Sequence, residues 1–200
     1  MSEVAALLTE LDATLARVTP PRRLAMLRQM TELFLQGAGL YTAEQTAVFD
    51  ALIKRLTQGV GAQALVELSN RLATMDSAPA DTIVRLSSDD DPAVSGPVLE
   101  KSSVLNDGDL VGIARSKSQG HLLAIAGRRH IADVVTDVLV ERGNQAVKRK
   151  VTANEGATIS ENGFARLISD ARTDKDLAGM VKKREDIPEE LKPFLEMALA

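Results

Sequence analysis

The sequence has no cysteine and no tryptophan, and only one tyrosine and four phenylalanines in 200 residues. Without cysteine there is no disulfide scaffold, cysteine nucleophile or thiolate metal site. Its 2 histidines show no ligand-type clustering, which argues against a structural zinc site. So few aromatic side chains cannot build a base-stacking platform or an aromatic-rich cleft. No apolar run approaches the roughly 20 residues that a membrane-spanning helix needs. The stretch from Met1 to Asp12 is acidic and amphipathic, unlike a secretory leader. These absences lead us to expect a soluble cytoplasmic protein with no membrane partner.

What is abundant is leucine and alanine, 26 and 27 residues, with 26% charged residues. That is the composition of packed helices. A chain of this length forms one or two domains and buries roughly 70% of its unfolded surface, enough for a core without staples. The net charge of -4 is unevenly placed: -6 over residues 1–109, +6 over 110–184 and -4 over 185–200. A basic stretch between two acidic ones bears on the choice of partner.

Apolar residues recur at helical spacing from the start: Val4, Leu7, Leu8, Leu11 and Leu15. Thr19-Pro20-Pro21 ends that helix and starts another, because proline suits a first helical turn. Leu24, Leu27, Met30, Leu33 and Phe34 continue the stripe until Gly37-Ala38-Gly39. Thr42 and Gln45 have capping-box spacing. A third helix then carries Val48, Phe49, Leu52, Ile53 and Leu56, and Gly59 and Gly61 break it. A fourth carries Leu65, Leu68, Leu72 and Met75. Residues 1–76 therefore read as a four-helix unit, with a boundary at Asp76-Ser77-Ala78-Pro79. A short helix from Pro79 to Leu86 and an acidic loop through Asp89-Asp90-Asp91 follow.

Beyond the boundary, residues 77–200 repeat themselves. Four capping residues, Asp91, Ser118, Asn144 and Asp174, stand 27, 26 and 30 apart. Three residues on are Val94, His121, Val147 and Leu177; seven on are Val98, Ile125, Val151 and Val181. Ten on are Lys101, Arg128, Asn154 and Arg184; thirteen on are Val104, Ile131, Ala157 and Ile187. A cap oxygen satisfies orphan N–H groups, and the next two columns share one helix face. The long polar residue falls near the helix end, where a cation meets the negative end of the dipole. The thirteenth position lies in a turn. Second helices follow around Asp109–Ala114, Val134–Val140, Phe164–Ile168 and Leu191–Leu199. A pair of this kind cannot bury its own face, so stacking is required. The fold class expected is all-α: an N-terminal helical bundle followed by a HEAT-like α-α superhelix (α-solenoid), with one continuous α-solenoid as the alternative.

Several strings in order carry a family resemblance. They are Asp89-Asp90-Asp91-Pro92-Ala93-Val94, Pro97-Val98-Leu99-Glu100 and Ser118-Gln119-Gly120-His121-Leu122. Ala124-Ile125-Ala126, Val135-Thr136-Asp137-Val138-Leu139 and Asn154-Glu155-Gly156-Ala157 complete the set. Together they resemble the bacterial domain-of-unknown-function family DUF2336, found mainly in alphaproteobacteria. The resemblance extends over nearly the whole chain, including the N-terminal bundle and Ala78-Pro79. It implies a helical, HEAT-like protein of unassigned activity and supplies no catalytic residues. Family members often run longer, which leaves open whether the native chain continues past Ala200.

Candidate chemistry is sparse. His121 interrupts an apolar column and reads as a buried, hydrogen-bonded histidine, or as a site residue near Arg115, Gln119 and Arg128. His130 reads as a solvated turn residue. Basic clusters recur near helix ends: Arg128-Arg129, Lys148-Arg149-Lys150 and Lys182-Lys183-Arg184. Stacked, they would form a stripe for phosphates or an acidic partner; separately, they complement helix dipoles and solubilise one face. Asp89, Asp90, Asp91, Asp107 and Asp109 lack the spacing of a calcium loop, and capping accounts for Asp91 and Asp107. There is no phosphate loop, dinucleotide fingerprint or nucleophile motif, so no catalytic residue, metal or cofactor is expected. The leading expectation is a non-enzymatic protein-interaction module using Arg115, Gln119, His121, Arg128, Arg129, Lys148, Arg149, Lys150, Lys182, Lys183 and Arg184. Nucleic-acid backbone binding by the basic stripe is the first alternative, and an enzyme centred on His121 the second. A homodimer through Leu7, Leu11 and Leu15 is also compatible with the pattern.

Overall fold

The computed structural model describes residues 13–15 and 17–199, so Val4, Leu7, Leu8 and Leu11 lie outside the described residues. Within residues 17–199 the chain forms twelve α-helices, one 3-10 turn and no β-strand. These are α1 (Pro20–Gln36), α2 (Ala43–Leu56), α3 (Ala62–Leu72) and α4 (Ala80–Ser87). Then come α5 (Pro92–Lys101), α6 (Asp107–Ser116), α7 (Gln119–Ile125) and α8 (Asp133–Arg142). Last are α9 (Gln145–Ala153), α10 (Glu161–Ala171), α11 (Lys175–Lys182) and, after the turn at Glu189–Leu191, α12 (Lys192–Leu199).

Local chemistry explains most boundaries. Prolines occupy the first turns of α1 and α5, where a missing N–H costs nothing. Thr42 and Gln45 close a capping box on α2. Asp91, Asn144, Ser160 and Asp174 accept backbone N–H bonds at the starts of α5, α9, α10 and α11. The cap of α6 is Asn106, in a box with Asp109, rather than Asp107. Gly39 and Gly59 take φ of 81° and 76° where breaks are expected, a left-handed conformation that glycine adopts without penalty. One cap comes from far away in sequence. The start of α4 follows Pro79, which has no side-chain acceptor; buried Asp50 of α2 accepts instead from Asp81 N at 2.7 Å and Thr82 N at 2.8 Å.

Packing follows a simple order. Helices α3, α5, α7, α9 and α11 each contact the next in that series. Helices α6, α8, α10 and α12 do the same, and α2 packs on α4. Neighbouring members of the two series also touch, as α4 does α5 and α10 does α11. One apolar cluster runs from Leu15 to Leu195. It passes through the stretch Asp76–Pro79, where α3 meets both α4 and α5. Val94, His121, Val147 and Leu177 are all buried, as are Val98, Ile125, Val151 and Val181. Leu33 and Val48 lie instead on exposed faces of α1 and α2. No helix among the described residues is long and apolar enough to cross a membrane.

Candidate functional site

The +10 column has a specific structural use. Arg128, just past α7, donates to the carbonyls of Leu99 at 2.6 Å and Ser102 at 2.8 Å, at the end of α5. Asn154, just past α9, donates to Ala126 O at 3.0 Å and Arg128 O at 2.7 Å, at the end of α7. Arg184, just past α11, donates to Thr152 O at 3.2 Å, Asn154 O at 2.9 Å and Ala157 O at 2.8 Å, at the end of α9. A helix end leaves carbonyls without intrahelical donors, and each of these side chains satisfies those of the preceding helix in its series. We call the arrangement a clasp. Lys101, the first residue of the column, is exposed. Burial lowers the Arg128 guanidinium below its ordinary value, with the charge of Asp107 acting the other way. Beside the clasps, Ile131 and Ala157 form a parallel bridge, Ile131 N donating to Gly156 O and Thr158 N to Ile131 O.

His121 is 1% exposed, and both ring nitrogens are engaged. Asp89 O lies 2.8 Å from Nε2 and, as a carbonyl, can only accept, so Nε2 carries a proton. In the neutral ring Nδ1 then accepts from the Ser118 hydroxyl at 2.8 Å. That bond diverts Ser118 from capping α7, and its side chain makes no cap bond. A serine hydroxyl held against an imidazole is the start of a nucleophile–base pair. Here the ring is packed at the polar edge of the core. None of the grooves described below is lined by Ser118 or His121. His130 is exposed.

The basic clusters are largely committed within the chain. Lys148 pairs with Asp170 at 2.6 Å, Lys150 with Glu100 at 3.7 Å and Lys182 with Glu196 at 4.0 Å. Arg149 grips both carboxylate oxygens of Asp174 at 2.9 and 2.7 Å, and also meets Asp176 at 3.1 Å. The Arg149 bonds, helped by Leu177 N, hold the Asp174 carboxyl below its ordinary value, and Asp174 raises Arg149 in return. Arg184 adds Asp186 to its carbonyls, holds that carboxyl below its ordinary value and lies over the Phe164 ring at 5.7 Å. Gln119 is exposed yet bridges two elements, donating to Arg142 O at 2.9 Å and accepting from Asn144 N at 2.7 Å.

Arg115, Arg129 and Lys183 are exposed and make no ion pair or side-chain hydrogen bond among the described residues. They do not share one edge. Gln119, at the start of α7, reaches Arg142, at the end of α8, and the Arg142 guanidinium reaches Ala114 at the end of α6. Helix starts of one series therefore adjoin helix ends of the other. Arg115, at the end of α6, lies on the edge opposite Arg129 and Lys183, which follow α7 and α11.

Two open grooves of mixed lining mark the surface. One is lined by Thr152, Glu155, Met180, Lys183, Arg184 and Asp186. Another, between α8 and α10, is lined by Asp137, Glu141, Asn162 and Arg166 among others. Among the described residues no three His, Asp or Glu side chains are placed to hold a metal ion.

Residues 94–192 match the model of a family described as an uncharacterised protein conserved in bacteria, DUF2336. The match leaves the N-terminal helices outside it, a narrower span than the strings in the sequence suggest. No curated protein and no solved structure matches the chain.

Proposed function

Through residues 94–192 this chain belongs to DUF2336, and from that starting point we propose a non-enzymatic, HEAT-like α-solenoid that serves as a protein-interaction module in the cytoplasm. The observation that carries the reading is the alternate-helix packing with its clasps. Helix ends joined layer to layer make an extended, stiff surface, as stacked repeat arrays do. The edge bearing Arg129 and Lys183 is the contact region, and an acidic protein segment fits it by charge.

Backbone binding to nucleic acid is less favoured, for a countable reason. Each neutralised phosphate contributes about -0.9 to the slope of log affinity against log salt, so a steep salt response needs several free cations, roughly 6–10 contacts for a fall of about 10³–10⁵ between about 50 and 200 mM salt. Of the nine arginines and lysines in the proposed surface, Arg115, Arg129 and Lys183 are unengaged among the described residues, and Arg115 faces the other edge. An enzyme at His121 is less favoured because the ring is buried and both nitrogens have partners.

Photo-crosslinking in cells from positions Arg129 and Lys183 tests the reading. A discrete protein adduct, lost with Arg129→Glu/Lys183→Glu while the fold is kept, is the expected result. Adducts to nucleic acid, or none at all, would overturn it.

A further inference from the structure

The two ends of the helical array differ in a way that fits one to the other. At the first end, Ala13, Arg17, Val18, Thr19, Arg22 and Met26 line an open groove of about 620 Å³. Between residues 13 and 31 the sequence has four arginines and no acid. Arg23 and Arg28 are engaged with Leu15 O, Gln58 O and Glu67. Arg17 and Arg22 are exposed and unpaired among the described residues.

At the other end, α12 turns Phe194 and Met197 to solvent at 49% and 62% exposure, while Leu195 is buried. Residues 185–199 carry five acids and one lysine. Glu189 pairs with Lys192, Glu196 with Lys182 and Asp186 with Arg184. Glu185 and Glu190 are exposed and make no ion pair among the described residues.

We infer that these two faces bind each other between copies of the chain, head to tail. The apolar side chains of α12 enter the groove beside α1. Arg17 and Arg22 meet Glu185 and Glu190. A contact between two different faces is heterologous and propagates rather than closing at two copies. Charge complementarity sets its polarity and speeds encounter. The inference rests on the stacked-array reading only in placing the two faces at opposite ends.

Sedimentation velocity of the full chain is the test, with small-angle scattering of the monomeric variants reporting separately on the array's elongated shape. Species that grow with concentration, and that weaken at least tenfold in high salt, are expected, because exposed charges are screened within about 10 Å at 0.1 M salt. Arg17→Glu/Arg22→Glu and Phe194→Glu/Met197→Glu alter exposed positions, so each should stay folded and monomeric by itself. Mixed, they should form a 1:1 dimer and nothing larger, since one intact head and one intact tail remain. Swapping both charge sets in one chain, with Glu185→Arg/Glu190→Arg added to the arginine variant, should restore association. A wild-type chain that stays monomeric over a hundredfold concentration range overturns the inference. So does association that survives both sets of changes, or variants that fail to pair with each other. An elongated monomer would leave the array standing while removing self-association.

Discussion

Asn154 is the most informative position for testing the clasp. Its amide nitrogen donates to Ala126 O and Arg128 O, and its oxygen accepts from Gly156 N at 2.9 Å. Replacing it with alanine removes three hydrogen bonds and no large apolar volume. A net bond contributes about 0.5–1.5 kcal/mol, and more when the abandoned group is shielded from water, so Asn154→Ala should cost about 2–4 kcal/mol. For a chain of this size that corresponds to a fall in Tm of about 5–15 °C. Equilibrium unfolding in urea gives the total. Hydrogen exchange gives the location, with protection lost first at the end of α7 and at Gly156. Asn154→Asp supplies a control of the same shape. It keeps the acceptor for Gly156 but turns a charged oxygen toward two carbonyls. Repulsion of the charged form raises the folded pKa of the new carboxyl, so its destabilisation grows as pH rises above the unfolded value of about 3.9. A change below about 0.5 kcal/mol for Asn154→Ala, the range of ordinary surface substitutions, would refute the clasp as a source of stability.

Other outcomes follow from the same contacts. Arg128→Met keeps the length of the side chain but leaves Leu99 and Ser102 carbonyls bare, and should cost about 1–3 kcal/mol in urea unfolding. Gly156→Ala places a Cβ onto the Arg129 carbonyl oxygen; it should disturb the Ile131–Ala157 bridge, seen as loss of amide protection at Ile131 and Thr158. Asp174 has a folded pKa below its unfolded value, so its contribution is present above about pH 4 and is lost as pH falls through the folded value. Asp174→Asn should therefore show a flatter stability profile in acid than the wild type, measured by denaturant midpoint against pH.

How much of this is legible in the sequence depends on the distance between partners. Asp91, Asn144 and Asp174 cap their helices through bonds spanning two or three residues, so spacing alone exposes them. Asn106 and Asp107 are both good capping types; Asp109, three residues after Asn106, decides between them. Ser118 has a cap's position, yet its hydroxyl goes to a histidine anchored by Asp89, 32 residues upstream of that ring. Asp50 capping α4 across 31 and 32 residues leaves no local trace. The +10 column is visible as a column, but the helix end that its side chains serve belongs to the preceding layer. The basic clusters suggest a stripe because their acids are remote: Lys150 meets Glu100, and Lys148 meets Asp170. Leu33 and Val48 keep helical spacing on faces that stay exposed, because periodicity marks an apolar side without naming its neighbour.

The clasps all point the same way along the chain, and this gives synthesis a direction. Each helix end is secured by a side chain 26 to 32 residues later in sequence. At about 5–20 residues per second of translation, that is a wait of a few seconds. During it, the newest layer at the ribosome holds its fold by burial and capping alone. A pause before the clasping arginine has emerged from the ribosome would prolong this exposed interval, whereas one after its emergence would not.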